Sequence, residues 1–166
     1  QFYHSWVGSV FGFSYAVFYK VPSFMHPAPK PTPRFVTEGL SCASPKFRPL
    51  VAGIEQSETG GYPYIATNVY TLKVYKWPSY KAAYTALQSM IAQHQVFAVG
   101  IAQVKTNLFP VFHMSLQKAL NPCDSARFVE WALQKNLEWA QGRGMEGTQA
   151  IQAAVSAYTS GHLNIH

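Results

Sequence analysis

The sequence predicts a mainly α fold (α+β) with one small β-hairpin, and three observations point to it. Four stretches keep their apolar residues on one face at helical spacing. One stretch, residues 64–77, is β-branched and aromatic with partial alternation. A proline-rich segment separates these elements from an aromatic N-terminal arm.

Composition sets the outer bounds. At 166 residues the chain suits one domain with a short appendage. Apolar residues make up 48% and charged residues 12%, so a real core can be buried. The net charge of +6 arises from scarce acids, not from basic runs. No Lys/Arg cluster marks a nucleic-acid face, which argues against that partner. A diffusely basic surface suits a long anionic polymer or an anionic membrane surface equally well. Cys42 and Cys123 are the two cysteines. Neither a CxxC pair nor a zinc spacing surrounds them, so no metal is expected. They are either buried thiols or one disulfide.

Residues 1–19 contain no charged side chain and many Phe, Tyr and Trp. Their polar content makes a poor membrane span. They read as an arm packing on the domain or on a partner, with membrane association through this arm as the rival reading. Residues 21–34 contain five prolines and read as an extended linker. The expected division is therefore 1–34, arm and linker, and 35–166, the folded domain.

Phe47, Leu50, Val51 and Ile54 define the first helix, with Pro49 in its first turn and Gly60-Gly61 ending it. Ser79 should cap a second, with Ala83, Leu87, Met90, Ile91 and His94 on one face. A third should begin after Asp124 or Ser125, with Val129, Ala132, Leu133, Leu137 and Ala140 inward, and stop at Gly142 and Gly144. The last runs from about Thr148, with Ile151, Ala154, Val155 and Tyr158 in register, to Gly161.

Seven acids can be judged singly. Glu130 and Glu138 read as solvated, Asp124 as a cap, Glu146 as part of a Gly-rich connection and Glu38 as part of a loop. Glu58 differs. It lies four residues after Ile54 and points within roughly 30° of the centre of the apolar stripe, with Glu55 nearer its edge. A carboxyl held against apolar surface has a raised pKa, as a general acid near neutral pH requires.

The surrounding residues carry a family resemblance. Ile54-Glu55-Gln56-Ser57-Glu58-Thr59-Gly60-Gly61-Tyr62-Pro63 resembles the signature of lysozyme-like lytic transglycosylases. In that family the catalytic Glu ends a helix and a Pro follows five residues later, which fits Glu58 and not Glu55. Val99-Gly100-Ile101-Ala102-Gln103-Val104 is similar to the family's Gly-Leu-Met-Gln-Ile segment, and Ala157-Tyr158-Thr159-Ser160-Gly161 to its Ala-Tyr-Asn-x-Gly. The resemblance covers about residues 40–161. Thr59, Ala102, Lys105 and Thr159 depart from the usual Ser, Met, Asn and Asn.

The contexts of Cys42 and Cys123 look like the paired cysteines of the branch that accompanies type IV secretion and conjugation machines. The resemblance thus implies a lysozyme-like helical domain, a Cys42–Cys123 disulfide, and export to the periplasm or cell envelope. Its implied substrate is peptidoglycan, with secretion-channel subunits as further partners and no cofactor. Glu58 is the implied catalytic residue. Gln103, Tyr158, Gly100, Ile101 and Thr59 are the implied substrate-binding set, with Gln103 and Tyr158 facing one cleft with Glu58. His113 and His162 flank these motifs. Trp77, Trp131 and Trp139 default to core packing, although one of them could stack on sugar. A goose-type lysozyme-like hydrolase and a catalytically weak wall-binding module are the alternatives.

Overall fold

A computed structural model describes residues 3–10, 13–20 and 34–161. Most of the linker, together with His26, His162 and His166, lies outside the described residues. The elements run β1 (Tyr3–Val10), β2 (Phe13–Lys20), α1 (Arg34–Leu40), α2 (Arg48–Thr59), β3 (Ile65–Asn68), β4 (Val74–Lys76) and α3 (Tyr80–Ala92). They continue with β5 (Phe97–Val99), β6 (Val104–Lys105), α4 (Phe109–Phe112), α5 (Leu116–Ala119), α6 (Pro122–Gly142) and α7 (Gly147–Thr159). The fold is mainly α with a small antiparallel sheet.

Local chemistry accounts for the boundaries. Pro49 sits in the first turn of α2, and Gly60 ends that helix at φ 62°, a left-handed cap that costs glycine little. Ser79 accepts a hydrogen bond from the Ala82 N–H and starts α3. The antiparallel sheet has the order β4-β3-β5-β6. It is larger than the single expected hairpin because β5 and β6 add a second one around residues 100–103. β1 and β2 form a separate antiparallel pair, from Tyr3 opposite Lys20 to Val10 opposite Phe13. β2 lies against α7 and α2.

Two apolar clusters make the core. One joins Val36, Val51, Ile54, Val129, Leu133 and Val155 from α1, α2, α6 and α7. The other joins Ala66, Phe97 and Val99 of the sheet to Leu87 of α3 and Leu120 beyond α5. Ile101 and Ala102 belong to the first cluster and Val99 to the second, so the 100–103 turn bridges the two. A disulfide joins Cys42, just after α1, to Cys123 in the first turn of α6.

Several expectations need correction. α6 begins at Pro122, because Asn121 and not Asp124 is its cap: Asn121 Oδ1 accepts from the N–H groups of Cys123 and Asp124. Asp124 lies in the first turn beside Arg127, favourable at the positive end of the helix dipole. Glu38 belongs to α1, which is too short to show periodicity, and pairs with Arg34 at 2.7 Å. Glu130 keeps part of its surface in solvent but also accepts from the Ser44 N–H (3.0 Å) and the Ser44 hydroxyl, fastening the loop beyond the disulfide to α6. His94 is exposed at φ 60°, past the end of α3, so it lies on no apolar face. Ile151 is in register but 38% exposed, at the rim of a small cavity it lines with Leu50, Leu133 and Leu137.

Candidate active site

The last turn of α2 carries two carboxyls, and their burial reverses the expected order. Glu55 is 0% exposed and Glu58 half-buried. A single-stripe reading fails because α2 is central: α1, α6, α7 and the N-terminal hairpin all pack on it. Only Pro49 and Gln56 along its length are exposed, so a carboxyl at the stripe's edge is still interior. Glu58 lies in the last turn of the helix and keeps part of its surface exposed.

Burial sets the chemistry of both groups. Loss of water disfavours the ionised form and pushes each carboxyl up to about 8. Both are therefore mostly protonated at pH 7, by roughly ten to one. Glu58 is an acid with some exposure, poised to donate a proton. Glu55 is sealed, and neither of its carboxyl oxygens has a hydrogen-bond partner among the described residues.

The β5–β6 turn meets the end of α2 through Thr59. Gly100 adopts φ 81°, and a Cβ there would lie 1.8 Å from the Ala119 carbonyl oxygen, so only glycine fits. The Gly100 N–H donates to the Ile65 carbonyl at 2.8 Å, fixing the turn to β3. Gly100 and Ile101, both expected to contact substrate, are instead buried, and the Ile101 carbonyl already accepts from Thr59, so these two positions shape the turn and present no surface to a ligand. Gln103, at φ 54°, turns its amide back: Nε2 donates to the Gly100 carbonyl and Oε1 accepts from the Thr67 hydroxyl, each at 3.0 Å. One Nε2 hydrogen and one Oε1 lone pair remain for a ligand.

Hydrogen bonds tie the resembling segments together. Thr59 Oγ1 lies 3.1 Å from both the Glu55 and the Ile101 carbonyl oxygens, linking the end of α2 to the turn. Tyr158, buried on α7, donates its hydroxyl to the Ala102 carbonyl at 3.0 Å. Burial first, then the nearby carboxyls of Glu58 and Glu55, raise the Tyr158 phenol well above its ordinary value, so it stays protonated. Hydrogen bonds thus join Thr59, the 100–102 backbone and Tyr158, three distant stretches of chain, and Tyr158 lies within electrostatic range of Glu58. Thr159 is not part of this network, since its hydroxyl bonds back to the Val155 carbonyl of its own helix.

Other candidates lie apart. His113 is exposed at φ 51° where α4 ends. Trp131 packs on Phe112 and Phe128, Trp139 lies under Arg143, and Trp77 stacks on Tyr75. Single-helix spacing missed Thr67, whose role depends on strand pairing, and the deep burial of Glu55. It also missed the edge-to-face cluster of Phe35, Tyr62 and Tyr64, in which Tyr62 follows Glu58 by four residues. Among the described residues no group of three or more His, Cys, Asp or Glu stands where it could hold a metal ion.

Two predictions arise directly. A carboxyl that ionises at about 8 when folded but near 4.5 when unfolded leaves the native state holding more protons between those values. Stability should therefore be greatest below about pH 4.5 and fall as pH rises toward 8. Glu55→Gln cannot titrate, so denaturant midpoints measured across this range should decline less steeply than in the parent. An unchanged slope would remove Glu55 as a source of the pH dependence. Separately, Tyr158→Phe leaves the buried Ala102 carbonyl without its donor and should cost about 1–2 kcal/mol. Gln103→Ala should cost a similar amount, because both ends of the amide brace the turn. Urea unfolding reads both losses.

Comparison with protein-family models, with curated proteins and with solved structures finds no match for this chain, so its functional reading rests on the motifs and their geometry.

Proposed function

We propose that the chain is a peptidoglycan lytic transglycosylase with Glu58 as its acid and base. The observation that carries the reading is the convergence of the resembling segments. Thr59 bonds to Ile101, Tyr158 bonds to Ala102, and Tyr158 lies in the field of Glu58.

Most glycosidases use two carboxylates. The second acid near Glu58 is Glu55, but it is sealed from solvent and from any substrate. One exposed acid suits an intramolecular route. Protonated Glu58 donates to the glycosidic oxygen as the bond to C1 of N-acetylmuramic acid breaks, releasing the N-acetylglucosamine hydroxyl. The ionised Glu58 then accepts the proton of the muramyl C6 hydroxyl, whose oxygen closes on C1. The product is a 1,6-anhydro end, with no water consumed. Holding the C6 hydroxyl near C1 supplies the advantage of an intramolecular reaction. Gln103 offers its remaining N–H to the sugar, and Tyr158 fixes the turn facing Glu58. The disulfide supports a location in an oxidising compartment such as the periplasm. Secretion or conjugation channel subunits are the partners this reading suggests.

One observation favours a second reading, a wall-binding module of weak activity. The polar groups of Gln103 and Thr59 already serve the fold. Dye release from purified murein sacculi separates the two. Steady release over the background of Glu58→Gln supports the enzyme, and binding without release supports the module.

A further inference from the structure

We infer that the turn between β3 and β4 is a docking surface for an anionic lipid bilayer. The turn is rigid. Asn68, itself buried, accepts from the N–H groups of Tyr70 (2.9 Å) and Thr71 (3.0 Å) through Oδ1. Its backbone accepts from the Leu72 N–H at 2.8 Å and donates to the Lys73 carbonyl at 2.9 Å. Leu72 stands at φ 64°, where a branched apolar residue is disfavoured and Gly or Asn would serve a simple chain reversal. Strain of this kind persists where surrounding bonds over-determine it, as those of Asn68 do here, and it clusters at functional surfaces.

What the turn presents is apolar. Tyr70 is 76%, Leu72 47% and Val74 53% exposed. With Tyr80 they are four of the seven large apolar side chains exposed among the described residues, all within positions 70–80.

Charge selects the partner. No acid occurs from residue 59 to residue 123, while Lys73, Lys76, Lys81, Lys105 and Lys118 do. The first three flank the turn, are exposed, and form no ion pair among the described residues, although Lys73 lies over the Tyr75 ring at 4.9 Å and Lys76 over the Tyr62 ring at 5.9 Å. Tyrosine and aliphatic side chains beside lysines without an acidic partner match a surface with an apolar interior and anionic headgroups. A glycan strand is a poorer match, since the tip offers it few hydrogen-bonding side chains. No helix among the described residues is long and apolar enough to cross a membrane, so this contact would be peripheral.

Co-sedimentation of the full chain with vesicles tests this without any assumption about catalysis. Phosphatidylcholine vesicles carrying phosphatidylglycerol should retain the protein roughly fivefold better than phosphatidylcholine alone, and added salt should weaken binding. Leu72→Gly relieves the left-handed strain, so it should fold at least as firmly yet lose most of the vesicle binding. The Lys73→Gln/Lys76→Gln pair should lose the preference for anionic vesicles. Glu58→Gln should bind as the parent does, which separates this surface from the active-site reading. The proposal is overturned if the parent ignores anionic vesicles, or if the Leu72 and lysine variants bind them like the parent. It is also overturned if Leu72→Gly weakens binding to murein sacculi while vesicle binding is unchanged.

Discussion

Glu58→Gln should reduce release of muropeptides from sacculi by about 10²–10⁴-fold or more, because one group serves as acid and then as base. The substitution preserves size and removes only the transferable proton. Its fold should survive, since a half-buried amide at the end of α2 replaces a carboxyl that already stands neutral at pH 7. The matched change Glu55→Gln, one turn earlier, should leave most activity, because that carboxyl is sealed in the core. The parent should show a further signature. As the proton donor ionises at about 8, kcat/KM should hold steady below that pH and fall roughly tenfold per unit above it. Full activity in Glu58→Gln with loss in Glu55→Gln would mean that the motif had been read in the wrong register.

Loss of the disulfide should produce the largest change in stability. The bond closes a loop across 81 positions of sequence, from the segment after α1 to the first turn of α6. Cross-linking a loop of that size is worth about 4 kcal/mol in the chain-entropy model. Val36 of α1 and Ala126 of α6 share the core beside the bridge, so α1 should loosen when it is cut. Cys42→Ala/Cys123→Ala should therefore unfold at lower denaturant by an amount equivalent to about 4 kcal/mol, with unchanged cooperativity in the remaining domain. Differential scanning and urea titration of the oxidised parent against the double variant check it. Equal midpoints would show that α1 is held by packing alone.

Much of this architecture was legible in the chain, for identifiable reasons. Pro49 with Gly60, and the Ser79 cap, mark helix ends through local chemistry that tertiary packing did not override. The strands within 64–77 were legible from β-branched and aromatic residues. β5 and β6 were not, because each is at most three residues long and is stabilised by pairing with distant β3 and with each other. α1 was missed because much of what holds it, packing on α6 and the disulfide, is non-local.

The candidate site follows the same division. Glu58 was singled out by its position on α2, but the burial of Glu55 depends on how many neighbours surround that helix. The roles of Thr67 and of the Ala102 carbonyl arise only when the sheet and α7 close on the turn. Gln103, expected only as a substrate contact, also has a structural role, since its amide braces the turn from both ends.

The central claim is that Glu58 and the 100–103 turn direct an intramolecular cleavage, and the chemical form of the product tests it most directly. Mass spectrometry of muropeptides released from sacculi by the parent should show 1,6-anhydromuramyl ends, absent from digests by Glu58→Gln. Reducing ends bearing a water oxygen, traceable in ¹⁸O-labelled water, would contradict the account and identify a hydrolase.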